Sequence, residues 1–289
     1  MGESWSVEVW AKLPGYLALL CGTGAAVSLA LARDERRSDA LAPRLARVAR
    51  LAGILGVVAI VLRALGHAVA IDGPTGAVQL DTLRLVVVDS RWGAAWRWHA
   101  ATAVAVALAS WRVESARRLA FYALALAAAL VVAPFLGHGA GSLWRGALHS
   151  LHLAVTGAWL GTVVVLALAS GRVSSVAGKG PGTGALAAII SRFSPWALVC
   201  AAAAGASGVV LAWMYLGGVA ALVETIYGWM LLAKLALVAA IGACGFLNWR
   251  RVGRGDAPNL ALIRAEAAFA VLALVVTAAL TETEHPAND

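Results

Sequence analysis

The chain has 289 residues, of which 61% are hydrophobic and 13% charged, and it carries a formal net charge of +8. Soluble domains run about 45–50% apolar and about 25% charged, so this composition, with a mean hydropathy of +0.82, excludes an ordinary soluble enzyme. It also excludes a disordered chain, which needs low hydrophobicity.

A helical span needs roughly 20 apolar residues to cross a hydrocarbon core of about 30 Å. Eight segments meet that length in chain order: 9–32, 48–71, 91–111, 117–137, 146–169, 188–216, 228–249 and 260–281. The fold class expected is therefore an all-α integral membrane protein, an eight-helix transmembrane bundle. Inside the first span, Gly22-Thr23-Gly24 marks close helix packing rather than a nucleotide loop. Residues 76–90 are apolar but short, and they carry Asp81, Arg84 and Asp89. They predict an interfacial helix or a re-entrant loop. Residues 171–185 are rich in Gly and Ser and predict a loop.

Basic residues set the orientation. Arg33, Arg36, Arg37, Arg44, Arg47 and Arg50 lie between the first two spans. Arg112, Arg117 and Arg118 follow the third span, Arg172, Lys179 and Arg192 the fifth, and Arg250, Arg251 and Arg254 the seventh. With alternating spans all of these fall on one side. That side is cytoplasmic and both termini lie outside. Topology accounts for the net charge, so no nucleic-acid partner is expected; the partner is the lipid bilayer. Ala30-Leu31-Ala32 looks like a signal-peptidase site, but Glu3 and Glu8 replace a basic leader and cleavage would strand the arginine-rich loop outside. The first span is expected to be retained.

The chain divides into two halves, 1–144 and 145–289, of four spans each. Gly93 stands six residues before His99, and Gly228 six before Lys234. An even number of spans per half makes this a parallel repeat.

All six histidines fall in the outer half of the topology. His67 ends the second span, His138 ends the fourth, and His149 and His152 open the fifth on one helix face. His99 lies deeper in the third span and His285 is in the outer tail. If the second, fourth and fifth spans are neighbours, His67, His138, His149 and His152 converge as metal ligands; imidazole suits copper, zinc, iron and nickel. Met214 and Met230, also at outer span ends, add thioethers that favour Cu(I), and with His99 they complete the candidate ligand set. Ionisable groups within spans face the bundle interior or water. Arg63, Lys234 and Glu266 are accordingly expected as structural ties or pathway residues, Lys234 and Glu266 lying at different depths. Cys21, Cys200 and Cys244 are scattered singly in spans, with no disulfide framework. No GxSxG, Walker, GxGxxG or HExxH motif occurs, and no enzymatic activity is expected.

From about residue 135 to 282 the chain resembles the CopD/PcoD family of bacterial copper-resistance and copper-uptake membrane proteins. The pieces in order are Gly137-His138, His152 seven residues before Trp159-Leu160-Gly161, and Arg192-Phe193-Ser194-Pro195 opening the sixth span with Gly208 within it. Tyr227-Gly228 then stands six before Lys234, followed by Asn248 at the inner end of the seventh span, Glu266, and Leu280-Thr281. The resemblance implies an inner-membrane protein that takes copper at its outer face from a separate CopC-like carrier. It gives His138 and His152 as ligands; His67 and His149 join on geometry alone. Asn248 joins Arg63, Lys234 and Glu266 as a structural or pathway position. His99 departs from the basic residue expected six after the glycine of the third span. Two alternatives stay open. One is a haem b electron-transfer protein, with paired histidines as axial ligands and Arg63 and Arg97 on the propionates. The other is an assembly factor that delivers copper.

Overall fold

The computed structural model describes residues 3–33, 41–73, 78–137, 141–170 and 183–288. Among these residues the regular structure is helical throughout. α1 runs Glu3–Ala32, α2 Ala42–Asp72, the short α3 Leu80–Arg84, α4 Arg91–Ser110 and α5 Ala116–Val132. α6 (Leu143–Thr156) passes through a π turn at Gly157–Gly161 into α7 (Thr162–Ser170). Then come α8 (Thr183–Leu216), a single turn α9 (Ala221–Glu224), α10 (Ile226–Gly253) and α11 (Leu260–Leu280).

Seven of these helical stretches are long and apolar enough to cross a membrane: those of α1, α2, α5, α6–α7, α8, α10 and α11. The protein is a multi-pass membrane protein. The third expected span is present as α4, 20 residues long, but Arg91, Arg97 and His99 in its first half keep it out of that group. α4 nevertheless packs against α2 and α5. Trp96 donates from its indole to the Ile60 carbonyl at 3.0 Å, and Trp92 to the Leu136 carbonyl at 3.3 Å. Large apolar side chains such as Leu51, Leu124, Leu198, Trp213 and Leu235 point outward, as a lipid-facing surface requires.

α1 is the central helix, in contact with α2, α5, the π turn, α7, α8 and α11. Small residues make that possible, because helices in lipid associate through close packing. A Cβ on Gly24 would collide with the backbone of Gly161. Gly22 lies against Leu126 and gives its carbonyl to the Tyr122 hydroxyl at 3.3 Å. The Gly22-Thr23-Gly24 step is thus a packing site, as its sequence implies. The π turn bulges toward α1 at the same crossing, with Gly161 facing the Leu20 carbonyl.

Helix starts are set by side-chain caps, which satisfy the otherwise unpaired first amides. Ser90 accepts from the Gly93 amide, Ser115 from Arg118, Thr225 from Gly228, and Asn259 from Ala261 and Leu262. The segment 78–89 is a short helix extended by a π turn, tethered by Asp72, which accepts from the Gln79 amide and the Thr82 hydroxyl. The loop expected at 171–185 ends earlier, since α8 begins at Thr183; residues 171–182 lie outside the described set. Arg192-Phe193-Ser194-Pro195 consequently sits well inside α8 rather than opening it. Pro195 is tolerated there, with Phe193 buried and Ser194 donating to the Ile190 carbonyl.

α1 begins and α11 finishes at the same end of the bundle, here termed the upper end, where Lys12 pairs with Glu282. At the lower end Arg44 donates to the Ala169 carbonyl and Arg192 to the Leu31 carbonyl. Asn248 is buried there and accepts the Asn259 amide at 2.8 Å. That bond ties the start of α11 to α10.

Candidate functional site

Titratable side chains gather at the upper end in two groups, joined by the segment that follows α11. The first group lines a cleft of about 350 Å³ with walls from α1, α2, α4, the end of α5 and residues 281–285. His67, near the end of α2, places Nδ1 3.0 Å from Glu8 Oε1 on α1. A carboxylate only accepts hydrogen bonds, so Nδ1 carries the proton of this bond. The ring stacks on Trp92 of α4, with centroids 4.5 Å apart and planes 16° from parallel. Arg63, one turn before His67, donates to the Leu136 carbonyl at 3.3 Å. Arg63 and His67 share a face, as their spacing implies. Lys12, one turn after Glu8, forms an ion pair with Glu282 in which the side chains are 9% and 16% exposed. Buried charges of this kind are costly unless paired, and Lys12 also lies within electrostatic reach of Glu8 and Arg63.

The second group lies where α6, α8 and α10 meet. His149 Nε2 is 2.9 Å from the Tyr215 hydroxyl of α8. His152, one turn deeper on the same face, places Nδ1 3.0 Å from Ser207 Oγ. Ser207 donates its own proton to the Ala203 carbonyl at 2.7 Å, so its oxygen accepts from His152. Nδ1–H is again the donor toward that oxygen, and the ring also engages the Ala204 backbone. Gly208 makes room for this ring: a Cβ there would stand 3.4 Å from His152 Cε1. Lys234 on α10 lies within electrostatic reach of His152 and forms no ion pair among the described residues. Met214 and Met230 pack with Tyr215, Tyr227, Leu148, Leu211 and Leu280.

The segment after α11 belongs to both groups. Glu282 reaches Lys12, and Thr283, which donates to the Ala279 carbonyl at 3.0 Å, brings its oxygen to 3.4 Å from the Met230 sulfur. His285 is 7% exposed; its ring lies 4.5 Å from that of Tyr215 and 5.1 Å, edge-on, from that of Tyr227. His285 follows the last span, as expected, and aromatic neighbours enclose it.

The expected ligands are only partly brought together. His67, His149 and His152 each engage a different partner, and His138 lies outside the described residues. Among the described residues no three His, Cys, Asp or Glu side chains are close enough together to hold a metal ion. His99 stands within electrostatic reach of Arg63, and its Nδ1 is buried without a hydrogen-bond partner among the described residues. Glu266 is buried on α11 against Gly245 of α10; it forms no ion pair with Lys234. Sequence reasoning passed over Lys12, Tyr215 and Glu282, named Tyr227 and His285 without a role in the site, and used Glu8 only to argue against a cleaved leader. One signal was there to find: Glu8 and Lys12 are charged, lie in or beside a span and sit at helical spacing.

Two family descriptions match the chain. "Copper resistance protein D-like, N-terminal domain" matches residues 3–149, and "Copper resistance protein D" matches residues 187–280. The first takes in all of the cleft helices α1, α2, α4 and α5; the second takes in Ser207, Tyr215, Met230 and Lys234. No curated protein and no solved structure matches the chain.

Proposed function

Because the chain belongs to the copper resistance protein D family, we propose that it carries copper across a bacterial inner membrane, inward from the periplasmic side, through the histidine-bearing upper end of the bundle. The observation that carries this reading is the way the histidines are held. His67 and His152 each donate from Nδ1 to a fixed oxygen acceptor. Metal-ligating histidines are oriented in this way by outer partners, commonly a carboxylate. Met214 and Met230 close by add soft donors suited to Cu(I). His138 and His149 complete the proposed ligand set, with copper as cargo rather than resident cofactor.

In this reading α4 is the eighth span, both termini lie outside and the upper end faces the periplasm. The arginine-rich connections at the lower end support that orientation. The proposed division into two parallel halves, 1–144 and 145–289, is supported by a shared contact pattern. In each half the first span touches the second, the second the third, the third the fourth, and the fourth the first. Ser90 and Thr225 cap the third span of each half through the amide of the glycine three residues on. A separate CopC-like carrier is the proposed donor of copper, docking at the cleft.

The test is copper uptake into proteoliposomes containing the purified chain, beside His67→Ala, His149→Ala and His152→Ala. Uptake by the unaltered protein and its loss in the variants are expected. Bound copper without uptake would instead favour a delivery factor. Unchanged uptake in all three variants would remove the site.

A further inference from the structure

Among the described residues, the segment Thr281–Ala287 is the element of the upper end that carries donors and bridges both groups. It crosses from the end of α11 over α10 to α8. Ala287 and Pro286 press against Gly217, where φ is +67° and a Cβ would stand 3.3 Å from Ala287 Cα. The contact fixes where His285 lies. His285 and His149 both contact Tyr215, one ring against ring at 4.5 Å and the other through the hydroxyl at 2.9 Å. The Met230 sulfur lies against the same segment, 3.4 Å from Oγ1 of Thr283, two residues before His285. Leu148, Leu211, Leu216 and Leu280 wall the cluster.

We propose that His149, His285 and Met230 form a copper(I) site, with the C-terminal segment supplying the third side. This rests on the copper reading above and names its ligands. Two imidazoles and a thioether make a soft, three-donor set suited to Cu(I), with His285 buried and His149 and Met230 half-buried. His149 Nε2 points at the Tyr215 hydroxyl, so the ion takes that position and the hydroxyl turns away. Neutral imidazoles and a thioether bind with no change of oxidation state and no group transferred. The three ligands come from α6, α10 and the residues after α11, so the ion would join the segment to the bundle. The segment also reaches the cleft through Glu282.

The test is Cu(I) affinity of the purified full chain in detergent, measured anaerobically by competition with a chromophoric Cu(I) chelator. His149→Ala, His285→Ala and Met230→Leu are compared with Trp144→Phe, a change at an exposed position of the upper end. Losing even an outer partner of a metal site typically costs 10- to 100-fold in affinity, so each of the three variants is expected to bind at least about tenfold more weakly, while Trp144→Phe binds as the parent does. Met230→Leu conserves volume and guards against misfolding. X-ray absorption of the copper-loaded parent should show one sulfur scatterer, absent in Met230→Leu. If His285→Ala and Met230→Leu bind as tightly as the parent, this site is overturned and the copper reading stands. If the parent binds no Cu(I), the copper reading falls with it.

Discussion

The Lys12–Glu282 pair fastens the C-terminal segment to the central helix, and a double-mutant cycle tests it. With side chains 9% and 16% exposed, the pair is too buried to be treated as a surface salt bridge. Removing one partner of a buried pair costs about 3–5 kcal/mol, because the other charge is stranded. Two features put this pair at the low end of that range or just below it. Glu8 lies within reach of Lys12, so Glu282→Gln leaves the ammonium a second carboxylate, and about 2 kcal/mol is expected. Lys12→Met leaves Glu282 beside a cleft that admits water, and about 3 kcal/mol is expected. If the two changes were independent the double variant would lose about 5 kcal/mol; because they share one interaction it should lose no more than the worse single, about 3 kcal/mol. At roughly 2 °C per kcal/mol for a chain of this size, tryptophan-fluorescence melts in detergent should drop by about 6 °C for Lys12→Met and about 4 °C for Glu282→Gln. The double variant should drop about 6 °C, again at roughly 2 °C per kcal/mol. A double variant melting near the additive sum of about 10 °C would refute the pairing. Single variants melting with the parent would refute its burial.

Two further stability predictions concern packing and capping. Gly24→Ala places a methyl against Gly161 backbone that cannot yield, so it should cost about 3 kcal/mol, the upper range for overpacking. Gly56→Ala, whose Cβ would stand an ordinary 3.7 Å from Ala18 Cβ, should be neutral or stabilising; melts of the two variants read the difference, and an equal loss would contradict the crossing. Asn248→Ala removes the buried acceptor of the Asn259 amide and should cost about 1–3 kcal/mol. Because Asn248 lies at the lower end, Cu(I) affinity should be unchanged in the same chelator competition.

Much of the fold was legible because lipid imposes a length. A span of about 20 apolar residues is a long signal, and the eight expected segments fall on helices to within a few residues. Errors came where local chemistry replaced hydropathy. α2 starts six residues before its expected boundary, at Ala42, through a turn rich in arginine but good at forming helix. α8 starts at Thr183 and runs through Pro195, because neighbouring residues re-satisfy the backbone that proline frees. α4 fails a simple count because Arg97 needs partners. It finds them in the carbonyls of Val87 and Val88, at 2.6 and 2.9 Å, supplied by the short helix before it.

The site was less legible, and the reason is specific. Histidines near span ends look alike whether they serve a metal or merely sit at headgroup level, and only their partners separate the two. Those partners are distant in sequence: Glu8 for His67, Ser207 for His152, Tyr215 for His149. Periodicity on one helix cannot reveal them. His285 shows the same gap from the other side. Nothing in Thr-Glu-Thr-Glu-His-Pro marks it as buried, since the run is polar and follows the last span. Its burial comes from Tyr215 and Tyr227 on two other helices and from the room left by Gly217. A polar segment after a final span therefore needs to be read against the open ends of every helix on its side of the membrane. Here those ends belong to α1, α8 and α10, and they turn the segment after α11 into one wall of the site.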